Sequence, residues 1–117
     1  MPKFVKSSPE LAGRFRATLA RLAAPDVTER QMFGYPCAWI GGNMVTGLFA
    51  EAWWVRVEGP DRAALLEMPG AHLFEPMAGR PMRAYVVLPA AVVGDETDLD
   101  AWVERAIACT RMLPPKG

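Results

Sequence analysis

Apolar positions recur along this chain with two different periods, and the change from one to the other divides it into elements. Leu11, Phe15, Leu19 and Leu22 follow one another at spacings of four, four and three, with Arg14, Arg16 and Arg21 between them. That pattern predicts a helix with one buried stripe and a wet basic face. Ser8, Pro9 and Glu10 supply an N-cap, a first-turn proline and an acid at its positive end, and Ala24, Pro25 and Asp26 stop it. From Val27 the period falls towards two. Val27 to Phe33 alternates until Gly34 interrupts, and Pro36, Cys37, Ala38, Trp39 and Ile40 form a second extended run. Gly41, Gly42 and Asn43 give a hairpin signal, Met44 to Ala50 returns, and Trp53 to Val57 follows a short break at Glu51 and Ala52. Connections this short force antiparallel neighbours, so the middle of the chain predicts a β-meander.

Gly59, Pro60 and Asp61 then open a short helix carrying Ala63, Ala64, Leu65 and Leu66, stopped by Pro69 and Gly70. Residues 72–82, rich in Pro and Gly, read as a loop leading into a strand over residues 83–88. Asp95, Glu96, Asp98 and Asp100 precede Leu99, Trp102, Val103, Ala106 and Ile107, an acidic helix start followed by an apolar stripe. Residues 114–117 read as a frayed tail. The predicted order is α-β-β-β-α-β-α. It describes an α+β fold of two layers in which the N- and C-terminal helices pack one face of an antiparallel meander.

Composition narrows the class. A chain of 117 residues is the size of one domain, taken here as residues 1–117 with a core over about residues 8–112, and 51% apolar content is enough for one continuous interior. Thirteen basic residues balance thirteen acidic ones, which removes the strong positive field of a protein that lives on phosphate backbones. No apolar run approaches the length of a membrane span, and the first six residues lack the apolar stretch of a secretory leader, so a cytoplasmic protein is expected. Cys37 and Cys109 stand far apart without a CxxC spacing and are expected as two thiols.

Candidate chemistry is sparse. Ser7 and Ser8, at the start of the first helix, are no place for a catalytic serine. Cys37 with His72 is the one conceivable thiol and imidazole pair, weighed against a cysteine that simply fills a core. One histidine leaves too few soft ligands for zinc, and the carboxylates of residues 95–100 lack a calcium-loop spacing and suit helix capping. No catalytic residue, cofactor or metal is therefore expected. The aromatic density of the meander, with Phe33, Tyr35, Trp39, Phe49, Trp53 and Trp54, is the larger signal. Adjacent residues of a strand point to opposite faces, so one of Trp53 and Trp54 is expected beneath the helices and the other exposed, covered by an edge, or in a homodimer or partner interface. An alternative is a small-molecule pocket lined by Trp39, Trp53 or Trp54 with Arg80 or Arg83 as an anion anchor. A third reading is a weak DNA contact through Arg14, Arg16 and Arg21, since residues 1–30 carry six basic and three acidic groups.

Arg30-Gln31-Met32-Phe33-Gly34 resembles the R-x-M-F-G segment of the TfoX/Sxy N-terminal domain family. The resemblance continues through Gly42-Asn43-Met44, Trp54-Val55-Arg56-Val57, Phe74-Glu75-Pro76, Gly79-Arg80-Pro81, Tyr85-Val86-Val87-Leu88-Pro89 and the helix bearing Trp102, in the familiar order. Many members have a second glycine after M-F-G, where this chain has Tyr35 and Pro36. The resemblance implies a compact bacterial α+β domain, in some members joined to a C-terminal domain and linked to regulation of competence; here it is expected to stand alone. It implies a non-catalytic regulatory or protein-interaction role, with Arg30, Met32, Phe33, Gly34 and Tyr35 shaping the characteristic turn.

Overall fold

A computed structural model describes residues 6–116. Of the six residues read for a leader, residues 1–5 lie outside the described residues, as does Gly117.

The described residues form an open six-stranded antiparallel sheet and four helices. Helix α1, Pro9–Leu22, begins as the sequence dictates: Ser8 sits in extended backbone and its hydroxyl accepts the Leu11 N–H at 3.2 Å. It ends where Ala23 turns left-handed (φ 48°) and returns its N–H to Leu19 O. Then come β1 (Thr28–Met32), β2 (Tyr35–Ile40), β3 (Asn43–Phe49), β4 (Ala52–Arg56), α2 (Gly59–Leu66), β5 (His72–Met77), β6 (Arg80–Val87), α3 (Ala90–Val93) and α4 (Glu96–Arg111). The spatial order is β1-β2-β3-β4-β6-β5. Asp95 caps α4 by accepting the Asp98 N–H at 3.1 Å, the role its position predicted. No helix among the described residues is long and apolar enough to cross a membrane.

The two-layer α+β architecture is the expected one, and four details differ. The two extended runs read on either side of Gly34, counted as one strand in the predicted order, are two separate paired strands, because Phe33 (φ 55°) and Gly34 (φ 80°) both take positive φ and make a two-residue turn with Met32 opposite Tyr35. The stretch read as a loop over residues 72–82 contains β5, an edge strand; Pro76 is tolerated there because its missing N–H removes no inner ladder bond. A single turn, α3, precedes the closing helix. The tail is not frayed over residues 114–116: Lys116 N donates to Gly41 O at 2.7 Å, and the amide of the buried Asn43 donates to Pro114 O at 3.1 Å.

Period-2 alternation places Trp53, Val55 and Val57 on the helix side, where they join Phe15, Val45, Leu48, Leu65, Val86, Leu88, Leu99, Val103, Ala106 and Ile107 in the main core. Phe15 meets Trp53 with ring centroids 5.1 Å apart. Each such side chain contributes about 1.5–3 kcal/mol by leaving water, and this outweighs any surface pairing in the molecule. Polar satisfaction is local. Trp53 Nε1 donates to Thr46 Oγ1 at 2.8 Å, and that hydroxyl donates to Trp54 O at 2.7 Å, so the buried threonine neutralises two groups at once.

Candidate interaction face of the sheet

The face turned away from the helices is built on one row of register partners. Arg30 lies opposite Cys37, Cys37 opposite Gly47, Gly47 opposite Trp54, Trp54 opposite Val87, and Val87 opposite His72, so one residue from every strand lines up across the sheet. Gly47 is the pivot. A Cβ there would sit 2.5 Å from Trp54 Cζ2 and 3.1 Å from Pro36 O, so only glycine lets the indole lie across β3. Trp54 is consequently fully buried although no helix covers it.

Its cover comes from the far strands. Phe74 of β5 stacks on Trp54 at 5.2 Å, Tyr85 of β6 meets it edge-on at 5.0 Å, and Phe74 reaches Phe49 of β3 at 5.6 Å. A flat sheet would hold β3 and β5 on the order of 14 Å apart at about 4.8 Å per strand, so the sheet curls and the rings lean inward. Register shifts at Leu73/Phe74 and Phe74/Met77 are where β5 bends. Of the places open to the second tryptophan, the structure selects cover by the sheet's own edge. Both Trp53 and Trp54 are buried within one chain, so neither is the exposed ring on which self-association was to rest.

Around this small aromatic core runs a rim of half-buried side chains: Met32, Trp39, Met44, Met82 and Ala84. Two guanidiniums crown it. Arg30 stacks over Trp39 at 4.7 Å, while the indole Nε1 donates to Arg30 O at 3.3 Å. Arg56 stacks over Tyr85 at 4.9 Å and donates from Nη1 to the phenol oxygen at 2.9 Å. Among the described residues neither arginine has an ion pair within 4.0 Å. Arg56 Nε and Trp54 Nε1, both on this face of β4, are buried donors without an acceptor.

Electrostatics follow from burial. Desolvation pushes the Cys37 thiol up to about 12, against the pull of Arg30, and pushes the Tyr85 phenol up against the pull of Arg56. A thiol held so strongly neutral is no nucleophile, and His72 lies four strands away in the sheet order. The conceivable Cys37 and His72 pair is therefore not assembled. Cys109, on α4, is also raised by burial. No group of three or more His, Cys, Asp or Glu side chains among the described residues converges as a metal site would.

The residues singled out in the sequence are only partly gathered. Arg30, Met32, Trp39 and Trp54 share the outer face; Trp53 faces the helices. Tyr35 is buried and packs its ring on Phe49 at 4.9 Å, whereas Phe33 stands 60% exposed at the β1–β2 turn. Arg80 is exposed at the β5–β6 turn, opposite Met77. The pocket expected from Trp39, Trp53 or Trp54 with Arg80 or Arg83 does not form. Trp54 fills its own space and Trp39 lies beneath Arg30, so the open cavity of about 450 Å³ that touches Trp53 is lined instead by Arg14, Glu51 and His72. The guanidiniums of α1 are spent inside the molecule: Arg14 donates to Val93 O at 2.7 Å, Arg16 lies 3.8 Å from Glu29, and Arg21 grips Asp100 through two bonds of 3.0 and 2.8 Å. Sequence reasoning missed Arg56, Tyr85 and Phe74 as members of the face. The usable signal was Trp54-Val55-Arg56, where the period of two puts the arginine beside the buried indole.

The family model described as the TfoX N-terminal domain covers residues 17–110. No curated protein and no solved structure matches.

Proposed function

The chain belongs to the TfoX N-terminal domain family, and from that premise we propose that it is a non-catalytic regulatory domain that works by binding another protein through the outer face of its sheet. One observation carries the reading. Arg14, Arg16, Arg21, Arg62 and Arg111 are matched by carboxylates or backbone carbonyls of the same chain and Arg105 stacks singly on Trp102 of its own helix at 4.4 Å, whereas the sheet face sets two stacked arginines, Arg30 and Arg56, around one methionine rim with no carboxylate among the described residues matched to either. Stacked arginines set among methionines are the composition of a docking surface, since the rings fix the cations and thioethers adapt to a partner. The neutral Cys37 thiol fits a face that binds without chemistry.

The partner is a different protein rather than a second copy. In a two-fold pair each face meets itself, and this face is cationic, so two copies would set Arg30 and Arg56 against like charge. Light scattering on the purified chain is expected to give a monomer. Affinity capture with Arg30→Glu/Arg56→Glu as bait should lose partners that the wild type and Arg16→Glu both retain; equal capture by all three baits would remove the outer face from consideration.

A further inference from the structure

We propose that the outer face recognises an extended peptide segment carrying two carboxylates four residues apart, one received by Arg56 and the other by Arg30. The proposal rests on the interaction-face reading and specifies the ligand. A guanidinium presents five N–H donors in a planar fork, and a carboxylate matches two parallel donors on one edge. In Arg56 the phenol of Tyr85 holds Nη1 and the ring beneath fixes the plane, while Nε on the opposite edge is buried without an acceptor. One edge is thus anchored and the other lacks what an oxyanion supplies.

The face offers no internal rival for that edge. The six strands carry two carboxylates: Glu29, turned to the helix side against Arg16, and Glu75, whose Oε2 accepts the Gly79 N–H at 3.0 Å. Glu58 and Asp61, at the start of α2, form no ion pair with Arg56. Arg30, on the first strand in the order, shares the ring stacking alone, its guanidinium lying over Trp39. Arg56 is on the fourth strand, two residues along from the row that contains Arg30. Three strand spacings and two residues of rise separate the two by on the order of 15 Å before curling, close to the roughly 13 Å between side chains four residues apart on one face of an extended peptide. Met32, Met44 and Met82 between and beside them accept apolar side chains of the same segment.

The probe is an acetylated, amidated pentapeptide with glutamate at both ends and threonine, leucine and valine between, compared with its glutamine counterpart. The ¹H–¹⁵N signals of Arg56 Nε–H and the Trp54 indole are followed on the full chain. The glutamate peptide is expected to shift the Arg56 signal and the glutamine peptide is not. Arg56→Lys, which keeps the charge but loses the fork, should weaken binding about tenfold, and Tyr85→Phe should weaken it several-fold. Equal binding of the glutamine peptide, or an unchanged affinity in Arg56→Lys, overturns the proposal. So does an oligothymidylate that shifts Arg56 at lower concentration than the peptide. If the peptide fails while Arg30→Glu/Arg56→Glu still abolishes protein capture, the carboxylate assignment falls alone; if capture is also unaffected, the interaction face falls with it.

Discussion

Gly47 is the smallest residue with the largest consequence, because the Trp54 ring occupies the space a side chain would need. Gly47→Ala should cost about 1–3 kcal/mol through overpacking against a buried ring and the Pro36 carbonyl. Urea unfolding followed by tryptophan fluorescence measures it, and a cost near zero would mean that the ring swings aside freely. Cys37 gives a pH signature. Its folded thiol is pushed up to about 12 from an ordinary 9.0, so above pH 9 the unfolded chain releases a proton that the native state retains. Stability from this group is complete below pH 9 and declines as pH rises towards 12. Cys37→Ala should flatten that decline, as read from urea midpoints between pH 8 and 11. The native thiol should also resist alkylation at pH 8 until the chain unfolds.

Among the elements, the β1–β2 turn breaks two local rules at once. Phe33 takes a left-handed backbone that favours Asn or Gly, and it leaves an aromatic ring 60% exposed. Phe33→Asn should therefore raise stability by up to about 1 kcal/mol, read as a higher thermal midpoint. If partner capture falls in the same variant, the strain is retained for what the ring touches. The tail is an element too. Asn43→Ala should lose about 1 kcal/mol with its bond to Pro114, and removing residues 114–117 should make that substitution almost silent, because both act on one strap. Additive effects in the double variant would show that the strap holds nothing.

Across the whole molecule, bidentate ion pairs link α1 to α4 (Arg21 to Asp100) and the loop after α1 to the end of α4 (Arg111 to Asp26). The Asp26 carboxyl is held low by Arg111, so its contribution exists above the ordinary carboxylate range and fades as pH falls through it. These pairs lie on the surface, where screening and side-chain entropy leave little net gain. Raising salt to about 1 M should move the thermal midpoint by no more than about 2 °C, since the apolar contacts of the helices on the sheet dominate. Peptide binding at Arg30 and Arg56 should weaken steeply over the same range. A large drop in midpoint would reverse that ranking of forces.

Local rules were enough for what depends on neighbours in the chain. The capping serine and aspartate, the stripe of α1, the Gly41 and Gly42 turn and the opposite facing of Trp53 and Trp54 all follow from spacing, as does the α+β class. Three features escaped because they depend on contacts distant in sequence. Residues 72–77 form a strand only because β6 offers them a ladder, Pro76 being acceptable at an edge. Trp54 is buried because Phe74 and Tyr85 curl over it, and Arg56 becomes a face residue because Tyr85 arrives beneath its guanidinium. Periodicity tells which side of a sheet a residue faces, but only strand order and curl decide what waits on that side, and the candidate site is made of those encounters.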